Sequence, residues 1–468
     1  MALRPVAAAA VLALLPCAAF AATLTRGPVL SRVSASEAII AWETDGSQSG
    51  ATVSYGTTAS YGQTAQDSGS GENHSVHLTG LGAATTYHYL VDSQGSDNSF
   101  ATAPSGPTSV PFSFIVYGDN RTNQSDHQTV VNAIKAEPGV SFLIQTGDMA
   151  QNYPGIGSFG QEWDQFFQVE NDLLRNQPLF ATIGNHETID LLQHWKEFFS
   201  TSGANYYSVD WGQVHLAVLD AFEGSLSGVE GKDNITDAQM MWLSADLDVA
   251  QAAHQLLFIS IHHGAFSNAT GSGAHGPSVI AQQKVLPIAL SHGVIAMFAG
   301  HDHIYERGCN GNMDYFVVGG GGAPLYDVNG AGLGVLAAAK SLSYVRINVQ
   351  GNSVTGIARD PSGTQLDTFS LPTARPSEAC SLPDLDGGSI DAGPFDAGSI
   401  DAGSIDADAG ALGDAGHPGQ DGGNPANNPD AGGGTATTPS GCTSAGAITL
   451  WMLLPLAALA LRRRARLS

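Results

Sequence analysis

The chain is short of positive charge. Its 18 lysines and arginines face 43 aspartates and glutamates, for a formal net charge of -25. Such a surface repels polyphosphate backbones, which excludes a general nucleic-acid binder. It does not exclude a pocket that handles phosphate, because bound divalent cations can dominate the local charge. Cysteine is scarce too, with four in 468 residues. Cys17 lies in an N-terminal segment expected to be removed. Cys309, Cys380 and Cys442 remain, and export permits a Cys309–Cys380 disulfide, with free thiols as the alternative.

Helical periodicity is missing from residues 24–104. The runs "AIIAWET", "ATVSYGT", "HSVHLTG" and "TYHYLVDS" are short, β-branched and aromatic, and are split by Gly, Ser and Asn. They predict a small antiparallel β-sandwich whose aromatics have core spacing. A carbohydrate-binding face is the sharper alternative for those aromatics. Residues 381–441 are dominated by Asp, Ala, Gly, Ser and Pro and repeat "DAGPF", "DAGSI", "DAGSI". They cannot bury enough area to offset ordering entropy, and read as a solvated stalk.

The two ends are apolar. Residues 1–21 hold one arginine, an apolar run and Ala19-Phe20-Ala21, the pattern of a secretory signal peptide. Residues 445–468 hold an apolar stretch and then Arg462, Arg463, Arg464 and Arg466. The stretch is near the lower limit for crossing a bilayer, and the arginines would stay cytoplasmic. With Cys442 ahead of it, the segment resembles C-terminal sorting tails of some Gram-negative bacteria. That implies an exported protein held at the cell surface or outer membrane, or released after processing.

Residues 111–373 have a different texture. "FSFIVYGDN" and "VSFLIQTGDM" are apolar strands ending in Gly-Asp. "PLFATIGNHE" ends in Gly-Asn-His, "QLLFISIHHG" in His-His-Gly, and "GVIAMFAGHDH" in Gly-His-x-His. Helical stretches lie between them. One follows Ser125 and Gln128, spaced as a capping box, and another begins at Thr236. Alternating strands and helices make an α/β layered domain, in which ligands bind beyond the carboxyl ends of the strands. A single Asp or His after a strand is ordinarily a turn residue or a satisfied polar group. Five such endings at one edge point to a common site. The set is rich in oxygen and imidazole ligands and holds no cysteine, so it suits catalytic metal rather than a structural zinc finger.

The series "GD", "GD", "GNHE", "H", "GHDH" resembles the calcineurin-like metallophosphoesterase superfamily. "GHDHIYER", "GGGGAPLY" and the opening "TRGPVLSRVSASEAIIAWET" narrow the resemblance to the purple acid phosphatase branch with an N-terminal fibronectin-III-like domain. It implies a four-layer α/β (α+β) metallophosphoesterase sandwich preceded by a small all-β sandwich. It also implies two divalent or trivalent ions (Fe, Zn or Mn), and hydrolysis of phosphate monoesters by a metal-activated hydroxide. The substrate would be a phosphorylated small molecule or polymer. One metal would take Asp119, Asp148 and His303. The other would take Asp148, Asn185, His262 and His301, with Asp148 bridging. His186 would be the general acid, and His263 and His275 would lie near the substrate.

Two positions depart from the family pattern. Gln151 stands where purple acid phosphatases have the tyrosine that gives their colour, so no colour is expected. Arg121 stands where the superfamily has a histidine, leaving one metal a ligand short. His127, Gln151 or water could complete that set, with a solvated helix-start residue as the other reading of His127. Arg121 could instead grip phosphate oxygens. A phosphodiesterase on the same site, and a surface binding protein with a vestigial catalytic domain, are the rival readings.

Overall fold

The computed structural model describes residues 22–92, 94–151, 159–199, 203–224, 231–253, 256–332, 334–371 and Cys380. The segments expected to be a signal peptide (1–21), a stalk (381–441) and a sorting tail (445–468) lie outside the described residues.

Seven strands open the fold: β1 (Leu24–Ser31), β2 (Glu37–Ser49), β3 (Thr52–Gly56), β4 (Gln63–Gln66), β5 (Ser70–Thr79), β6 (Thr86–Val91) and β7 (Gln94–Ala101). Strand period dictates the packing. In β5, His74, Val76 and Leu78 point inward while Ser75, His77 and Thr79 point out. β5, β2 and β1 make one layer and β4, β3, β6 and β7 the other. Trp42, Tyr87, Tyr89 and Phe100 are buried between them, so these aromatics are core rather than a sugar-binding face.

The rest of the described chain alternates strand and helix. First come β8 (Phe112–Tyr117), α1 (Gln124–Ala136), β9 (Val140–Gln145), α2 (Phe159–Leu174), β10 (Leu179–Ala181) and α3 (Gln193–Phe199). Next are β11 (Tyr207–Trp211), β12 (Val214–Val218), α4 (Asp237–Ala253), β13 (Leu256–Ser260), β14 (Ala269–Thr270), α5 (Leu286–Ser291) and β15 (Ala296–Ala299). The series closes with β16 (Tyr305–Asn310), β17 (Met313–Val318), β18 (Asp327–Val328), β19 (Val335–Ala339), β20 (Tyr344–Gln350), β21 (Ser353–Arg359) and β22 (Gln365–Leu371).

Two large sheets stack face to face. One has seven strands in the order β11-β12-β13-β15-β17-β16-β19. The other has nine, β22-β21-β20-β8-β9-β10-β1-β2-β5, so it runs from the second domain straight into the first. The joint is a parallel pairing of β1 with β10 at Ser31 and Leu179. Alternation along β8 explains the layers. Phe114 and Val116 face the opposing sheet, where Phe114 meets Phe258 and Phe298 edge-on. Ile115 and Tyr117 face the other way, onto the buried sides of α1 and α2. α4 and α5 pack with the outward residues of β12 and β13, such as Ala217, Leu257 and Ile259. The result is helix, sheet, sheet, helix.

Helix starts follow capping chemistry in two different ways. α4 begins as its sequence predicts, with the Thr236 hydroxyl accepting from the Gln239 amide. α1 does not use Ser125. Its N-cap is Asn123, whose side chain accepts from the Asp126 amide, because the turn after Asp119 delivers the chain two residues earlier. Cys309 and Cys380 form a disulfide, so the free-thiol alternative does not hold for this pair.

Candidate metal centre

Strand ends position the site. Asp119 follows β8, Asp148 follows β9 and Asn185 follows β10, all on the nine-stranded sheet. His262 follows β13, and His301 and His303 follow β15, on the seven-stranded sheet. Each chain turns sharply there. Asp119, Asp148 and His301 have φ of 58°, 59° and 70°, in the left-handed region that non-glycine residues avoid. Three strained residues converging on one place mark it as functional. The preceding glycines answer to space as well. A Cβ on Gly184 would stand 2.2 Å from Asp148 Oδ1, and one on Gly300 would stand 2.3 Å from Asp119 Oδ2.

The ligand atoms gather in two clusters that share Asp148. Asp148, His262 and His301 form one; Asp119, Asp148 and His303 form the other. In the first, His262 Nε2 lies 3.0 Å from Asn185 Oδ1, 3.2 Å from His301 Nδ1 and 3.4 Å from Asp148 Oδ1. His262 Nδ1 is committed elsewhere, donating to the Thr146 carbonyl at 2.7 Å, so the Nε2 lone pair faces its neighbours. His303 is held the same way, with Nδ1 donating to the Pro324 carbonyl at 2.7 Å. A backbone carbonyl fixing one ring nitrogen is the usual way of presenting the other to a metal. Asn185 Oδ1, His301 Nδ1 and Asp148 Oδ1 gathered around a buried His262 Nε2 lone pair are a donor set that fits a cation.

Electrostatics agree with that fit. Burial, with the surrounding histidines, holds His301 well below the usual imidazole range. Burial likewise holds His262 down to about 4 and, helped by Arg121, His303 down to about 3, so all three are neutral at pH 7. Burial and the adjacent Asp148 charge push Asp119 well up. Burial would raise Asp148 too, but His262, His186 and Arg121 outweigh it and hold the carboxyl below its ordinary value.

Arg121 is drawn into the second cluster. Its Nε donates to Asp148 Oδ2 at 2.9 Å, Nη1 to Gln151 Oε1 at 2.6 Å and Nη2 to His303 Nε2 at 3.1 Å. Gln151 Oε1 also accepts from the Thr122 hydroxyl, so this amide is committed to its neighbours. His127 is not brought to the clusters, and it is not a solvated helix-start residue. It is buried, with Nε2 paired to Glu170 Oε1 at 2.8 Å, and Glu170 also accepts from the Tyr117 hydroxyl. The α1 periodicity that buries Val130, Val131 and Ile134 carries His127 inward with them.

Three further histidines wall the site. His186 Nδ1 donates to the Gln151 carbonyl at 2.6 Å, and its Nε2 lies 3.8 Å from Asp148 Oδ2. The His263 ring lies 4.2 Å from that of His301 and tilted to it, but both its nitrogens have acceptors: Asp233 Oδ1 at 2.8 Å and the Gly276 carbonyl at 2.9 Å. Burial would lower its pKa, yet Asp233 and the Gly276 carbonyl raise it on balance, and with both nitrogens taken up His263 is not a free donor to the site. The His275 ring lies 4.0 Å from that of His301.

Sequence reasoning missed the groups beneath. Glu187 is fully buried and accepts from the amides of Gly184, Asp148 and Met149, tying two ligand loops together. Asp302, between the two histidines of "GHDH", accepts from the amides of His275 and Gly276 and from the Ser267 hydroxyl. Both stand inside quoted motifs, and a charged residue predicted at a buried strand end was the available signal. Beside Arg121 a cleft of about 510 Å3 opens, lined by Thr122, Gln124, Gln151, Gln161 and Gln165 among others.

Comparison with known proteins gives concordant matches. Residues 112–305 match the calcineurin-like phosphoesterase family, and residues 27–115 match the purple acid phosphatase N-terminal domain. Purple acid phosphatase 18 of Arabidopsis thaliana is 26% identical over 295 residues, which is 57% of this chain and 62% of that protein. Purple acid phosphatase 22 of the same plant is 27% identical over 253 residues, 51% of this chain and 54% of that protein. The chain thus aligns with just over half the length of these relatives. Among solved structures, the purple acid phosphatase PPD1 from yellow lupin (Lupinus luteus) seeds has a TM-score of 0.58 at 17% identity, covering 78% of this chain and 77% of that one. PhoD has a TM-score of 0.58 at 11% identity, covering 77% and 95%. At these identities the likeness shows the fold: a β-sandwich followed by an α/β metallophosphoesterase domain. Enzymes of these families use a dinuclear metal centre, and the two Asp/His clusters are where this chain could hold its ions.

Proposed function

This chain belongs to the calcineurin-like phosphoesterases of the purple acid phosphatase type, and we propose that it is an exported, metal-dependent phosphatase acting on phosphate monoesters. The observation that carries the reading is the convergence of neutral imidazoles and carboxylates on Asp148 from two facing sheets. Asp119, Asp148 and His303 would hold one ion, and Asp148, Asn185, His262 and His301 the other. Metal ions there would supply a nucleophile at neutral pH and offset charge growing on the phosphoryl oxygens.

The chain's own groups do the rest. His186, with Nδ1 fixed on the Gln151 carbonyl, keeps Nε2 turned toward Asp148, where it can donate a proton to a leaving alkoxide. Arg121 adds fixed positive charge beside the site, which favours a dianionic monoester over a monoanionic diester. Export is supported by the Cys309–Cys380 disulfide, since such bonds persist in oxidising compartments. The C-terminal segment is read as the surface attachment, and fractionation of cells carrying the chain with and without residues 445–468 tests it. No helix among the described residues is long and apolar enough to cross a membrane.

The test of activity is a side-by-side rate measurement on an aryl monophosphate and a bis-aryl phosphate. It uses protein reconstituted with iron, zinc, manganese or magnesium, with and without chelator. Metal-dependent turnover that is faster on the monoester is expected. Faster diester cleavage would move the reading to a phosphodiesterase. Metal-replete protein without turnover would leave a binding protein.

A further inference from the structure

The two clusters are built differently on the side away from Asp148. The atoms close to His262 Nε2 are Asn185 Oδ1, His301 Nδ1 and Asp148 Oδ1, none of them on a cationic side chain of fixed charge, and the His262 ring proton points away, to Thr146. Around Asp119 and His303 a cation is already present. Arg121 gives Nη2 to the His303 nitrogen that an ion would need, and Nε to one of the two Asp148 oxygens. Its third contact, Nη1 on Gln151, anchors the fork, and the side chain is 10% exposed. The histidine cannot turn its other nitrogen to the ion, because that one is hydrogen-bonded to Pro324.

We propose that Arg121 is a resident competitor for metal, so that the two clusters load unequally. The inference rests on the reading that both clusters take ions. A guanidinium cannot relieve the conflict by losing its proton, since it stays charged at any pH a protein tolerates. An ion entering between Asp119, Asp148 and His303 must therefore move the whole side chain. The adjacent cleft, which Arg121, Thr122 and Gln151 line, gives it somewhere to go. Once displaced, the same fork stands at the cleft mouth with its donors free for phosphate oxygens. The second ion and the substrate would then share one switch.

The experiment is calorimetric titration of metal-free, full-length protein with Zn2+, with retained zinc counted by elemental analysis after dialysis. The native chain is expected to bind one ion tightly and a second ion roughly 10- to 100-fold more weakly, the range by which partners of ligand groups shift metal affinity. Arg121→Ala is expected to close that gap and retain two ions. Arg121→Gln, which keeps a donor without the charge, serves if the alanine variant does not fold, and its gap should also narrow. Two ions of equal affinity in the native chain overturn the proposal, as does a gap unchanged in the folded variant. Absence of any zinc binding overturns the proposed function with it.

Discussion

The nine-stranded sheet brings oxygen to the metal centre and the seven-stranded sheet brings nitrogen. Asp119, Asp148 and Asn185 end strands of the first; His262, His301 and His303 follow strands of the second. Neither sheet carries a complete ligand set, and each cluster is closed only where the two meet. The difference teaches that the site is a property of the sheet stacking. Phe114 against Phe258 and Phe298 sets its dimensions as surely as the ligands do.

The sharpest exception is His186, an imidazole on the oxygen side. If it is a proton donor rather than a ligand, His186→Ala should lower monoester hydrolysis by roughly 10²- to 10⁴-fold while metal content is unchanged. Loss of metal along with rate would put it among the ligands and break the oxygen-nitrogen division. The next effect concerns stacking. Ions held by the residues of both sheets would stabilise the native state by about 2.7 kcal/mol at a hundredfold excess over Kd. Thermal unfolding with and without chelator should show this as a lowered Tm. An unchanged Tm would mean that the sheets do not depend on what lies between their edges.

The smallest effect lies at the far end of the seven-stranded sheet, where a histidine does structural work. His215, near the start of β12, sits between Asp210 and Asp246 at 2.8 and 2.9 Å. Burial would lower its pKa, but the two carboxylates raise it to about 9. The folded value exceeds the ordinary 6.5. Its contribution is therefore complete below pH 6.5 and fades as pH climbs through about 9. About 1–2 kcal/mol should disappear across that window, less than the full shift implies because Asp210 is largely exposed. Denaturant unfolding at pH 6 and 9.5 measures it, and His215→Gln should flatten the slope.

Much of this was legible in the chain, for a physical reason. A parallel strand buried on both faces is a continuous apolar run, so a Gly-Asp or Gly-His at its end is conspicuous. That is how Asp119, Asp148, Asn185, His262, His301 and His303 could be singled out before any fold was known. What could not be read depends on partners distant in sequence. His127 looked solvated because Glu170, its partner, lies on another helix. Arg121 looked like a phosphate grip because its contacts to Asp148 and His303 span 27 and 182 residues. Glu187 and Asp302 stood within the motifs, yet their work is to hold backbone amides of neighbouring loops, which no motif spells out.

The pairing of Ser31 with Leu179 makes the amino-terminal sandwich something other than a detachable bead. Arg26 reinforces it by reaching Asp164 and the Gly160 carbonyl on α2, and the Tyr89 hydroxyl reaches the Arg175 carbonyl. Cutting the chain ahead of β8 would strip the rim from β10 and leave a raw backbone edge a few residues from Asn185. Strands β1 to β7 are thus scaffolding for a site built by other residues, and grafting them onto another protein would injure the donor more than it would equip the host.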